Sequence, residues 1–186
     1  MKKLCVFCGS SMGKSAHYKK MAQGLGKWMA KNNIKLVYGG GGIGLMGVLA
    51  DACLQHGGKV LGFIPKQLVE WETAHHGLTQ LTVVETMHER KQLMYDNADG
   101  FLALPGGLGT LDELFETLTW AQLEYHDKPI WLLNEKGFYR HLISHLKKTI
   151  KEGFISKENF TTIRQEKTLK ELYRDIQKEF YDHLSI

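Results

Sequence analysis

Short apolar runs alternate with longer segments of mixed polarity along this chain. Six runs predict strands: Leu4–Cys8, Lys35–Tyr38, Val60–Ile64, Leu81–Val84, Phe101–Leu104 and Pro129–Leu133, with a weak seventh at Phe160–Ile163. Helical periodicity fills 16–31, 43–56, 86–97, 110–125, 138–151 and 168–183. Strands that are nearly all apolar, each followed by a helix, belong to parallel sheets covered on both faces. The expectation is an α/β protein: one domain, residues 1–186, with an open, mostly parallel sheet. Ligands of such sheets sit beyond the carboxyl ends of the strands. Three of those ends carry glycine: Gly9, the Gly39–Gly42 run and Gly106-Gly107. The 66–80 stretch is the longest irregular segment, the kind of loop that lines sites.

Composition narrows the classes. Glycine is 20 of 186 residues, about 11% against a usual level near 7%, which puts weight on the loops. A net charge of +4, spread without a long basic run, gives little support to nucleic-acid binding and leaves small anions open. The apolar runs are too short for a membrane span or a signal peptide. Three cysteines without a leader suit a reducing cytoplasm.

Gly39-Gly40-Gly41-Gly42-Ile43-Gly44-Leu45-Met46-Gly47 follows a strand and opens a helix. It holds G-x-G-x-x-G twice, so Gly41 and Gly42 are candidates to bring backbone N–H groups to a phosphate. A tight strand–helix turn is the plainer explanation. A dinucleotide site also wants an acid about 20 residues on. None stands between Asp51 and Glu70, so a mononucleotide or sugar phosphate is the better ligand. Gly9 to Ser15 imitates a P-loop but has three residues between its glycines instead of four. ATPase chemistry is therefore rejected, although Gly9 and Ser10 still stand at a strand end. Cys5 and Cys8 would point to opposite faces of a strand and cannot share a metal. His75-His76 lacks partners at metal-ligand spacing, so both read as solvated loop residues, and no metal site is expected.

Pro105-Gly106-Gly107-Leu108-Gly109-Thr110-Leu111-Asp112-Glu113 follows an apolar strand and opens a strong helix. Thr110-x-x-Glu113 has capping-box spacing, as does Thr86-x-x-Glu89. At ~100° per residue Glu113 and Trp120 share one side of this helix, opposite a stripe of Leu111, Leu114, Phe115 and Leu118. An acid off the core stripe, beside a glycine-rich mouth, suits chemistry as well as capping. In the preceding helix Met87, Arg90, Lys91 and Met94 share a face. Either the basic pair snorkels to water, or Arg90 contacts a ligand.

Together Met87-His88-Glu89-Arg90-Lys91 and the 105–113 segment resemble the signature of the Lonely Guy (LOG) family. These are phosphoribohydrolases of cytokinin riboside 5′-monophosphates, some of which act on AMP and have been mislabelled lysine decarboxylases. Cys8-Gly9-Ser10-Ser11, Val37-Tyr38-Gly39-Gly40-Gly41 and Trp120-Ala121-Gln122-Leu123 extend the likeness over about residues 3–155. The resemblance implies a modified Rossmann fold, a homodimer, and neither metal nor cofactor. It implies a catalytic pair, Arg90 and Glu113. It places substrate contacts at Lys91, Gly106, Gly107, Gly109, Thr110, Asp112 and Thr119, with Met87 beside them and Glu72 as an acid near the base. Asp112 stands where many members have Glu. A homodimer also agrees with Trp120 and Leu123 lying off the core stripe. The expected reaction is hydrolysis of the N-glycosidic bond of a purine nucleoside 5′-monophosphate. The alternative is a non-catalytic nucleotide or molybdenum-cofactor carrier of similar architecture, which needs donors for its ligand but no carboxylate at a reacting carbon.

Overall fold

A computed structural model describes residues 1–69 and 74–181. The elements run β1 (Lys3–Phe7), α1 (Ala16–Lys31), β2 (Lys35–Tyr38), α2 (Gly44–Gln55), β3 (Val60–Pro65) and β4 (Gln80–Val84). Then come α3 (Met87–Asp96), β5 (Gly100–Ala103), α4 (Leu108–Gln122), β6 (Ile130–Leu133), α5 (Arg140–Lys151), α6 (Lys157–Thr161), β7 (Ile163–Glu166) and α7 (Leu169–Tyr181). The seven strands form one sheet in the order β4-β3-β2-β1-β5-β6-β7, and every pairing is parallel. Chain order reverses between β1 and β5, which makes that pair the topological switch point.

Alternation along β1 feeds two apolar layers. Leu4, Val6 and Cys8 join the core under α1, α2 and α7, whereas Cys5 and Phe7 join the core beneath α3, α4 and α5. The two thiols do lie on opposite faces, and all three cysteines are buried and free. Helices α1 and α2 meet closely because Gly26 has no side chain: a Cβ there would sit 2.5 Å from the Leu49 carbonyl oxygen. No helix among the described residues is long and apolar enough to cross a membrane.

Three local expectations are corrected. The weak strand at Phe160–Ile163 is displaced, because Ser156 caps a short helix there, its Oγ accepting from Asn159 N at 3.1 Å. The strand that closes the sheet edge follows at Ile163–Glu166. β4 also lies at an edge, with Val83 exposed, so its apolar run does not signal burial on both faces. His75 is not a solvated loop residue. Its Nε2 lies 2.9 Å from Asp51 Oδ1, and its N–H donates to the Gly40 carbonyl at 3.0 Å.

His126 ties down the end of α4. Its Nδ1 accepts the Lys128 N–H at 3.1 Å, so Nε2 carries the hydrogen and donates to the Thr117 carbonyl at 3.0 Å. Burial lowers its pKa from the usual 6.5, and the Lys128 charge adds to that, against an upward pull from the Thr117 bond. The unfolded chain therefore takes up this proton before the folded one does. Stability contributed by neutral His126 is lost as pH falls from about 6.5 through the lower folded value. The expected result is a smaller fall in Tm between about pH 7.5 and 5.5 for His126→Gln than for the wild type. Superimposable Tm–pH curves would remove His126 from the acid sensitivity of the fold.

Candidate active site

The carboxyl ends of β1 and β5 are held together at the switch point. Gly9 N–H donates to the Pro105 carbonyl at 3.2 Å and Leu104 N–H to the Phe7 carbonyl at 2.9 Å. Tyr139 Oη donates to the Leu104 carbonyl from below at 2.6 Å. Beyond these ends opens a cleft. Gly9 and Ser10 contribute to its wall from the β1 end, Met87, Arg90 and Lys91 from α3, and Gly107, Gly109, Thr110, Asp112 and Glu113 from the start of α4. Ten of the expected site residues thus converge on one space from three separate chain segments.

Helix α4 begins at Leu108, with Gly107 as its N-cap. Thr110 is therefore inside the first turn and does not cap the helix. It is buried against Gly106, where a Cβ would lie 2.0 Å from the Thr110 Oγ1. The capping-box spacing at Thr110–Glu113 was thus misleading, while that at Thr86–Glu89 does build a cap. Thr86 Oγ1 accepts from Glu89 N at 3.1 Å, although Glu89 returns its bond to Glu85 N, not to Thr86 N. The buried side of α4 is Thr110, Leu114 and Thr117. Leu111, Phe115 and Leu118 are only half-buried, so the stripe expected for the core is rotated, and Glu113 lies next to the buried side, not opposite it.

Glu113 faces Arg90. The guanidinium Nη2 lies 3.6 Å from Glu113 Oε1, an ion pair looser than a hydrogen bond, and both side chains are largely sequestered. Arg90 is 6% exposed, which decides its role: it does not snorkel to water. Its Nη1 reaches Met87 Sδ at 3.6 Å, and its buried Nε has no acceptor among the described residues. The neighbouring Lys91 is pinned by Glu116 at 3.0 Å and Asp112 at 3.2 Å. Burial acts to lower the Lys91 pKa, but bonds to Glu116 and Asp112 outweigh it and the net shift is upward. Beneath the pair, burial and then the Glu113 charge hold the Cys8 thiol well above its ordinary pKa, so Cys8 is an inert wall of the cleft.

The helix N-termini differ in what they offer. At α2 the Leu45 and Met46 N–H groups already donate to the Gly9 carbonyl, at 3.0 and 3.4 Å. Gly41 is buried, bridged to Ala74, and its carbonyl accepts from Tyr38 Oη at 3.2 Å. Neither Gly41 nor Gly42 is among the residues that line the cleft. At α4 the first N–H groups lack intrahelical acceptors. Beyond the adjoining residues and turn of α4, no atom of the described residues lies within 4 Å of where a Cβ would stand on Gly107 or Gly109. The open N-terminus is α4's, and it suits an anion.

Gly106 lies outside the cleft but lines an adjoining cavity that shares Gly9, Ser10 and Gly107 with it. Thr119 is exposed, three turns from the α4 N-terminus, its hydroxyl donating to the Phe115 carbonyl at 2.7 Å. Glu72 falls outside the described residues. Among the described residues no group of three His, Cys, Asp or Glu is placed to hold a metal. Sequence reasoning missed Glu116, one turn beyond Glu113, whose i+3 spacing was a usable signal. It also left Gly39 out of the site, although that residue stands in the glycine run that follows β2.

A parallel sheet whose switch point opens on a glycine-lined helix N-terminus, with an acid and a guanidinium at its wall, defines an α/β protein with a cleft suited to a small anion. Comparison with known proteins carries this further. Residues 46–176 match the family described as "Possible lysine decarboxylase". A cytokinin riboside 5′-monophosphate phosphoribohydrolase of Rhodococcoides fascians is 49% identical over 83% of this chain and 79% of that protein. One of Arabidopsis thaliana is 46% identical over 95% and 82%. The chain belongs to this family, the Lonely Guy proteins. Among solved structures, the molybdenum cofactor binding protein of Rippkaea orientalis superposes with a TM-score of 0.73 at 20% identity, over 96% of this chain and 98% of that one. The molybdenum cofactor carrier protein of Chlamydomonas reinhardtii gives 0.71 at 18%, over 95% and 96%. At that identity the likeness is one of fold.

Proposed function

We propose that this chain hydrolyses the N-glycosidic bond of purine nucleoside 5′-monophosphates, AMP or its N6-modified cytokinin forms, to free base and ribose 5-phosphate. The observation that carries this is the Arg90–Glu113 pair, 3.6 Å apart, in the same cleft as the open N-terminus of α4. The phosphate sits on the Gly107–Thr110 N–H groups, where the helix dipole favours an anion. This fixes the sugar so that its anomeric carbon faces Glu113. As the C1′–N9 bond lengthens, positive charge develops on the ribose. Ionised Glu113 stabilises that charge and orients or deprotonates the attacking water. Preorganised groups of this kind are typically worth about 3–4 kcal/mol each. Arg90 holds Glu113 and offers donors to the departing purine. Asp112 and Lys91 shape the rim through their ion pair.

Lysine decarboxylation, which the family description names, would need a lysine free to form a Schiff base. Lys91, on the cleft wall, is instead protonated and held by two carboxylates, which does not fit that role. The carrier reading shares the fold but gives no reason for a buried arginine against an acid. Support for a homodimer comes from α4 and its extension, where Leu108, Leu123 and Tyr125 are 87%, 53% and 71% exposed. Three buried free thiols agree with a reducing cytoplasm. The test is incubation with AMP and chromatography of the products. Stoichiometric adenine and ribose 5-phosphate are expected. Intact AMP retained by the protein would favour the carrier.

A further inference from the structure

Gly39 follows β2 and is buried, yet its backbone does not need a glycine. Positive φ angles occur at Gly40, +78°, and at Gly44, +61°, but not at Gly39. What excludes a side chain is Arg90. A Cβ on Gly39 would lie 1.8 Å from Arg90 Nη2, 2.8 Å from Cζ and 3.2 Å from Nε, and these are its three nearest atoms. The guanidinium therefore rests on the bare α-carbon of a residue 51 positions earlier, from a different strand–helix unit. That contact fixes the plane of the group, leaving Nη2 toward Glu113 and the buried Nε without an acceptor among the described residues.

We propose that Gly39 is a positioning residue for the reaction: the space left by its missing side chain is the seat that aims Arg90 at Glu113 and leaves its Nε–H for an acceptor on the nucleotide. This rests on Arg90 taking part in hydrolysis, as set out above. A methyl group at position 39 meets the far end of a flexible side chain before any backbone atom, so the arginine swings aside while the fold stands.

Gly39→Ala should keep a Tm close to the wild type and lose ~10²-fold in kcat for AMP, since an ångström of misplacement costs about that much. KM should move by less than roughly threefold, because the phosphate contacts lie on α4. A crystal structure of the variant should show the guanidinium displaced from Glu113. In an Arg90→Ala background, where the methyl has room, adding Gly39→Ala should change neither Tm nor the residual kcat. Wild-type kcat for Gly39→Ala, a guanidinium still 3.6 Å from Glu113, or an equal loss with and without Arg90 would overturn the seat. If Gly39→Ala does not fold, the double variant must fold, and its failure would likewise overturn it. Full turnover by Arg90→Ala alone would instead sink the part given to Arg90, a failure read from a different variant.

Discussion

Glu113→Gln is expected to lower the turnover of AMP by about 10²–10⁴-fold while leaving AMP bound. The substitution keeps the shape of the side chain and removes its charge. In the proposed mechanism the carboxylate faces the ribose as its charge develops, and a neutral amide neither stabilises that charge nor takes a proton from water. Binding should survive because the proposed phosphate site is at Gly107–Thr110, one to two turns away on α4. The check is adenine release at saturating AMP, beside calorimetric titration of the same nucleotide. Some loss of stability should accompany it, since the buried Arg90 guanidinium loses its counter-charge, 3.6 Å away. Undiminished adenine release would remove Glu113 from the chemistry and with it the hydrolase mechanism proposed here.

Gly44→Ala should be the most damaging of the glycine substitutions around the cleft. Its φ is +61°, which an L side chain adopts only with strain. A Cβ would lie 2.2 Å from the Ser10 carbonyl carbon, 2.3 Å from its oxygen and 2.5 Å from Ser11 N. All three are backbone atoms and cannot rotate away as the Arg90 guanidinium can from Gly39. Strain and overlap together are worth about 2–4 kcal/mol. In a chain of this size that corresponds to a fall of roughly 5–15 °C in Tm. Turnover should fall with it, because the Gly9–Ser10 loop walls the cleft and its carbonyl holds α2. A melting temperature within about 2 °C of the wild type would show that the two loops are not locked together in this way.

Most of the strand and helix pattern was legible in the chain because burial on both faces leaves a strong signal. β2, β3, β5 and β6 are buried almost throughout, and their apolar runs say so. Signals failed where two local outcomes compete. At 157–166 a serine cap and a strand overlap within ten residues, and the sheet edge decided between them. At Thr110 the capping spacing was present, but the helix began at Leu108 because Gly107 took the cap and Thr110 fitted against Gly106. The glycine run at 39–44 carried a phosphate-loop pattern. Its Gly40 and Gly41 carbonyls instead accept from His75 N–H and Tyr38 Oη, and the Leu45 and Met46 N–H groups that follow it donate to the Gly9 carbonyl.

By itself the sequence determined an α/β protein with glycine at the ends of three strands, and it marked Arg90 and Glu113 as residues that a plain core did not explain. Periodicity and turn chemistry act over a few residues, so they can be read along a line. Tertiary structure alone decided which helix N-terminus stays open, that Arg90 is sequestered against Glu113, and that Gly39 makes its seat. Those outcomes depend on atoms from residues 9, 39, 90 and 113 meeting at the switch point between β1 and β5. Contacts across such separations leave no periodic trace in the chain, because only the closed sheet brings them within a few ångströms.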